Sequence, residues 1–403
     1  YGVNHRLLGN LDGKMLLGTL DSVGKTKAYL APASGYEVST TINGTEYRSD
    51  TFTVGHEPTS VSFGPGKPVA SGKCGDNLTW KVTDNGLMTV EGTGDMYDYG
   101  YSVIENTVPP WYYQKISKLQ IGDGVTSIGA CAFRNLGLSG EITLPESVEK
   151  IGDYAFCLNS SLEKVVMGSK VTYIGNSAFT WCQNLTEINI PDSVTEIGES
   201  AFSLCMKLEN IHVPNSITML NKSVFSNCSS LEEIDIPTSV TSIGEGAFGG
   251  TGLKNVKIPA SVKDIGKQAF YGCTKLESIE LPVGLESIGE MTFNNCTSLK
   301  KLRIPSTVKE IGTGHSLIEG CDNLTEIQID DGITTLGWNV FMNCDGLKSV
   351  VIPASVKMIG ETAFANCKNL STVKMSAGLE KIYDGTFMNC ASLTNIELPD
   401  TVS

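Results

Sequence analysis

Leu185-Thr-Glu-Ile188-Asn-Ile190-Pro191-Asp-Ser193-Val194-Thr-Glu-Ile197-Gly198-Glu-Ser-Ala201-Phe202-Ser-Leu-Cys205 is one copy of a phrase that recurs from about residue 119 to the end of the chain. Its aromatic position falls at Phe133, Phe156, Phe179, Phe202, Phe225, Phe248, Phe270, Phe293, Ile318, Phe341, Phe364 and Phe387. Of the eleven intervals between these twelve positions, nine are 23 residues, one is 22 and one is 25. A fixed period of this length is the mark of a stacked array, in which each unit buries its apolar face only against its neighbours.

Each copy has a physical reading. Leu185-x-x-Ile188-x-Ile190 alternates apolar and polar and is rich in β-branched residues, which predicts a short strand. Pro191 ends it, because proline has no N–H for a ladder. Gly198 is expected to turn a tight corner with positive φ, and Asn221, which stands in its place in one copy, is the next most tolerant residue. Ala201 and Phe202 are expected in a short helical turn or irregular segment. At a strand pitch of ~4.8 Å, twelve such coils build a parallel sheet roughly 55 Å long.

The full phrase, L-x-x-I-x-I-P-x-S-V-x-x-I-G-x-x-A-F-x-x-C, resembles the BspA-like leucine-rich repeat family of bacterial surface proteins. The resemblance covers residues 119–403. It implies an α/β leucine-rich repeat solenoid of about 23 residues per coil, with short parallel strands and short helical or irregular convex segments. It further implies a secreted or cell-surface bacterial protein used in adhesion or protein–protein interaction, with no catalytic residues, no cofactor and no metal. The Asn ladder of other leucine-rich repeats is replaced here by Ser147, Ser193, Ser216, Ser239, Ser261 and Ser355, with Thr307 in a further copy; a hydroxyl still bonds neighbouring backbone.

Residues 67–118 resemble that family's leader, on Ser71-Gly-Lys-Cys74, Gly92-Thr-Gly94-Asp-Met96-Tyr97 and Pro109-Pro110-Trp111-Tyr112. Asp84-Asn-Gly86 between Leu78-Thr-Trp80-Lys-Val82 and Leu87-Met-Thr-Val90 predicts a β-hairpin, and the segment is expected to cap the first coil. Residues 1–66 lack the phrase. Short strands around Tyr36–Val38, Thr51–Val54 and Ser60–Phe63, with a turn at Asn43-Gly44, predict a small all-β region similar to the β-repeats of bacterial surface proteins. The chain stops partway into a further unit, so the natural protein is expected to continue or to protect its last edge.

Twelve cysteines invite a disulfide or metal reading. Nine of them, Cys182, Cys205, Cys228, Cys273, Cys296, Cys321, Cys344, Cys367 and Cys390, lie three residues after the aromatic position and form one column. Equivalent side chains in stacked coils point the same way, so their Cβ atoms stay near the coil pitch, farther apart than the ~3.8 Å of a bridge. They read as small buried hydrophobes. Cys74 with Cys131 or Cys157 is the one pairing left to consider. No C-x-x-C or paired histidine suggests zinc.

The formal charge of −14 argues against a nucleic-acid partner, and no apolar run is long enough to span a bilayer. His5, His56, His212 and His315 stand far apart, and no phosphate-loop or dinucleotide pattern is complete. The remaining candidate is the outward face of the strands. There Glu187, Asn189, Asn210, His212, Glu233, Asp235, Lys257, Glu280, Lys301 and Arg303 form either a solvated surface or a protein-binding one. On the second reading Glu187, Glu233 and Asp235 make an acidic patch, and Lys301 with Arg303 a basic one. The alternative partner is a glycan, stacked on the leader aromatics Tyr97, Tyr99, Tyr101 and Trp111.

Overall fold

The computed structural model describes residues 66–104, 107–312 and 314–402, together with the strand backbones His5–Leu8, Ala33–Ile42, Thr45–Arg48 and Phe52–Val54. Those four strands form an antiparallel sheet; the strand expected around Ser60–Phe63 and the Asn43-Gly44 turn lie outside the described residues. The chain divides into two compact units, residues 1–69 with 83–87 and residues 70–82 with 88–403.

The second unit is a solenoid of about eleven turns. Each turn contributes to two parallel sheets. The first takes the expected strand, as in Ser161–Val166, Glu187–Asn189 and Asn255–Lys257. The second takes two residues just before the glycine column, as in Lys150–Ile151, Tyr173–Ile174 and Glu196–Ile197, paired in register so that Ile151, Ile174 and Ile197 stack. The phrase Val-x-x-Ile-Gly encodes this second strand, but two residues are too few for an alternation to be read.

With the exception of Gly312, at φ 66°, the glycine column serves close approach, not positive φ. Gly198 is outside the left-handed region; a Cβ there would stand 2.5 Å from the backbone N of Asn176 in the preceding coil. The absent side chain lets the Gly198 N–H reach the carbonyl of Ile174 at 2.7 Å.

Positive φ appears instead two residues before and two residues after the phenylalanine, at Ser177 and Trp181 around Phe179, and at Ser200 and Leu204 around Phe202. This corrects the helical expectation: the described residues contain no helix. The hydrogen bonds give the reason. Ala178, Thr180 and Cys182 donate to Gly175, Ser177 and Phe179 in their own coil, whereas Ser177, Phe179 and Trp181 donate to Glu199, Ala201 and Ser203 in the next. A helix would spend every N–H within the coil; alternation sends half of them across the stack. Left-handed residues cost about 1–2 kcal/mol each, against about 3–5 kcal/mol for one buried phenylalanine, so the segment is held by what it stacks. Asn135, Asn227, Asn343, Asn366 and Asn389 occupy the later left-handed position in several coils, but Leu158, Trp181 and Leu204 occupy it in three successive ones.

The phenylalanines form that stack. Phe156 and Phe179 lie 5.3 Å apart at 2°, and Phe179 and Phe202 lie 5.7 Å apart at 3°. Trp111 heads the row. It is fully buried, stacks on Phe133 at 6.2 Å and donates its indole N–H to the carbonyl of Ala132 at 2.8 Å. The predicted hairpin pairs Asn77–Thr83 with Leu87–Asp95, and Gly94 and Asp95 continue into the second sheet beside Val125 and Ser127. Ser147, Ser193 and Ser239 donate to the carbonyls of Val125, Val171 and Ile217 one coil back, at 2.6–2.7 Å. Ser355 instead accepts from the Gly332 N–H.

All twelve cysteines are free and buried, and the column does more than fill space. Cys182, Cys205 and Cys228 donate from Sγ to the carbonyls of Phe156, Phe179 and Phe202 in the preceding coil, at 3.2–3.3 Å. Asn159, which interrupts the column, makes the same bond to Phe133 with its amide, at 2.8 Å. Burial pushes the thiols of Cys182, Cys228 and Cys321 up to about 12, from an ordinary value near 9. Between those values the unfolded chain has lost thiol protons that the folded chain keeps. The thiol contribution to stability is therefore whole below pH 9 and is lost as pH rises toward 12, by up to about 1.4 kcal/mol per thiol and pH unit. Thermal melts are expected to fall steeply above about pH 9, and less steeply when Cys182, Cys228 and Cys321 are replaced by serine; equal slopes would refute the thiol origin of the loss.

Candidate protein-binding face

Alternation in the first sheet places Ile188, Ile211 and Val256 in the core and turns their neighbours outward. All ten expected face residues, from Glu187 to Arg303, are exposed. Their electrostatics divide them. The basic pair is neutralised: Lys301 meets Glu326 at 2.6 Å, and Arg303 holds Asp330 with both Nε and Nη2, the shortest bond being 2.8 Å. That guanidinium keeps the Asp330 carboxyl below the usual carboxylate range. His212 meets Asp192 at 3.0 Å. Lys164 meets Glu187 at 3.1 Å, so Glu187 leaves the expected acidic patch. The Asn189 amide bonds both the N–H and the C=O of Met167, binding one coil to the last. Glu233, Asp235, Lys257 and Glu280 have no ion-pair partner among the described residues. The expected basic patch is thus a set of closed ion pairs, and the open charge concentrates around Glu233 and Asp235.

The four leader aromatics do not form one platform. Trp111 is fully buried at the head of the phenylalanine row, and Tyr99 is half-buried with its ring edge-on to Trp111 at 5.2 Å. Tyr97 and Tyr101 are exposed, the first donating its hydroxyl to Asp76 at 2.9 Å, the second lying under the guanidinium of Arg134. The first coil needs an aromatic cover more than the surface needs a sugar site, which removes Trp111 and Tyr99 from the glycan candidates.

The face also has a break that the phrase conceals. The first sheet is laddered through Glu187–Asn189, from Asn255–Lys257 to Glu326–Ile329, and again between Ser349–Ile352 and Thr372–Met375, but the two coils Leu208–Val213 and Leu231–Ile236 carry no ladder. The second sheet also parts between Glu196–Ile197 and Met219–Leu220, and once more between Ser287–Ile288 and Glu310–Ile311. Two departures from the repeat bracket the two unladdered coils. On one side Asn221 replaces glycine. Its Cβ cannot enter the close approach seen at Gly198, and its side-chain Nδ2 takes over the bond to the preceding coil, donating to the Ile197 carbonyl at 2.6 Å. On the other side the 22-residue copy has lost one residue between Thr251 and Leu253, just before the Asn255–Lys257 strand. Tyr383, a second residue with a Cβ in the glycine column, keeps its backbone bond to Ile359, lengthened to 3.0 Å. Both departures are visible in the sequence; what they do to the ladder is not.

The family model for the BspA type leucine rich repeat region matches residues 110–232, 221–344 and 314–403. Among solved structures, the chain is similar to a leucine-rich repeat protein from Bacteroides ovatus, with 30% identity over 81% of this chain and 94% of that one and a TM-score of 0.52. It is also similar to a leucine rich cell surface protein from Faecalibacterium prausnitzii (29% identity, 80% and 93% covered, TM-score 0.48) and to the pneumococcal vaccine antigen PcpA (19%, 83% and 92%, 0.48). No protein of curated function matches the chain.

If Asn221 holds the coils apart, Asn221→Gly should close the ladder and raise the melting temperature by a few degrees, on the order of 1 kcal/mol. Amide hydrogen exchange at Met219 and Leu220 should slow in the same variant. An unchanged melt with unchanged exchange would place the cause elsewhere.

Proposed function

The chain belongs to the BspA-type leucine-rich repeat family, and from that premise we propose that it is a non-catalytic binding scaffold of the bacterial surface or its surroundings. It recognises a protein partner through the outward face of its first sheet. One observation carries the reading: successive coils present exposed polar and charged side chains, in register, along one face of the solenoid. Such a surface is extended and open, suited to another macromolecule rather than to enclosing a small substrate. Membership of the family supports the surface location and the bacterial setting. The charge pattern supports an electrostatically selected partner, because the acidic stretch at Glu233 and Asp235 is not cancelled from within the chain.

Blocking the face tests this. Asn255→Trp with Ser278→Trp puts two bulky rings on adjacent exposed strand positions where aromatic residues are tolerated. Glu361→Trp, away from the sheet, serves as the control. Immobilised wild-type protein and the control are expected to capture the same partner from bacterial or host surface extracts, and the face variant to lose at least ~10-fold of that capture. Equal capture by all three would overturn the reading.

A further inference from the structure

We propose that Trp181 is the centre of a second binding site, one for a neutral sugar ring, on the left-handed segments of the solenoid. The site is independent of the outward strand face.

The backbone supplies the first observation. The residue two positions after the phenylalanine column is left-handed in all twelve coils, and in nine of them it is asparagine or glycine, the residues that tolerate this conformation. Three successive coils depart from that rule, with Leu158 at φ 65°, Trp181 at 65° and Leu204 at 62°. For a bulky side chain this region is strained and persists only where the surroundings enforce it, and such strain gathers at functional sites.

The core does not require these side chains. The coils of Phe341 and Phe364, which carry asparagine at the same position, stack their rings at 5.1 Å. Trp181 is 40% exposed, and Leu158 and Leu204 are half-buried. Among the described residues no other ring and no cation packs on the indole.

The three positions are contiguous. The Leu158 N–H donates to the Thr180 carbonyl at 2.8 Å, and the Trp181 N–H to the Ser203 carbonyl at 3.0 Å. The stripe therefore advances one coil per residue and runs roughly 10 Å at the strand pitch.

Its surroundings select the occupant. Segments 154–160, 177–183 and 200–206 contain no charged residue, so nothing there favours an ionic ligand. Gln183 and Asn184, two and three residues past the indole, are partly exposed, and their side-chain amides have no hydrogen-bond partner among the described residues. The negative face of an aromatic ring attracts the C–H groups of a pyranose, and an amide offers a donor and an acceptor to adjacent hydroxyls. Three side chains fall far short of the ~800 Å² per partner that a stable protein interface uses, whereas one indole is enough to stack a sugar ring.

Retention of the whole labelled chain on a microarray of neutral oligosaccharides of glucose, galactose, mannose and N-acetylhexosamines, with sialylated and sulfated glycans alongside, tests the proposal. Wild type is expected to be retained by at least one neutral glycan, and Trp181→Asn at least 10-fold less by the same glycan. Trp338→Ala, which removes an exposed indole elsewhere, should be retained like wild type. Asparagine suits the left-handed backbone, so Trp181→Asn is expected to melt at or above the wild-type temperature. The proposal falls if no neutral glycan retains wild type at micromolar protein, if only acidic glycans do, or if Trp181→Asn is retained equally. It also falls if Trp181→Asn melts below wild type, because the fold itself then needs the ring. Loss of a captured protein by Trp181→Asn, with no glycan retained, would assign the stripe to a protein partner instead. None of these outcomes alters capture through the strand face.

Discussion

The distance between successive coils constrains everything else in this molecule. Parallel strands demand ~4.8 Å, and every other column must fit that spacing. The phenylalanine rings do so by stacking face to face, with centroids 5.1–5.9 Å apart. The corner before them does so by having no Cβ. At Gly266 an added Cβ would sit 2.7 Å from the Glu245 backbone N, so an ordinary side chain there lengthens the contact or breaks it. The sheet, the ring stack and the corner are thus one constraint met in three ways.

Within a coil, the same constraint decides where hydrogen bonds go. A 23-residue loop around a single aromatic core has too little room for a helix and its covering side chains. The segment around each phenylalanine alternates instead, one N–H inward to its own coil and the next onward to its neighbour. The cysteine closes the remaining carbonyl. A thiol is small enough for the core and still donates weakly, which explains why Asn159, whose amide makes the same bond to the preceding coil, can replace it; Thr251 instead bonds the Phe248 carbonyl of its own coil.

The architecture was legible in the sequence because every coil writes it again: Leu185-x-x-Ile188-x-Ile190 announces the strand, and Phe202 the core. Backbone conformation was not. Glycine at 198 suggested positive φ, whereas the left-handed residues are Ser200 and Leu204, side chains that ordinarily avoid that region. Nothing local favours them there; the stacked neighbours do. Charge was legible only by residue type. Lys301 and Arg303 read as a basic patch because their partners, Glu326 and Asp330, lie 25 and 27 residues on, matched only when the coils are stacked around the two-residue insertion. Trp111 and Tyr99 could be read as a cap on the first coil or as a stacking platform, and their burial beside Phe133 keeps the first of these.

In a repeat array, a residue that obeys the pattern reports on the fold, and function must be sought where the pattern is broken at some cost. Asn221 gives up the close approach that most of its column preserves, and the deletion after Thr251 shortens the run into the next strand. Either alone is a tolerable irregularity. Together they bracket two coils in which, among the described residues, no first-sheet ladder forms and the N–H groups of Glu209–Val213 and Glu232–Ile236 donate no hydrogen bond. Backbone donors in a sheet are normally paired within the chain, and the first-sheet ladder also parts between Glu326–Ile329 and Ser349–Ile352. The aromatic column passes through these coils undisturbed, with Phe202, Phe225 and Phe248 at 5.9 and 5.8 Å, so the array keeps its spacing where the ladder is lost because the rings, not the strands alone, hold it.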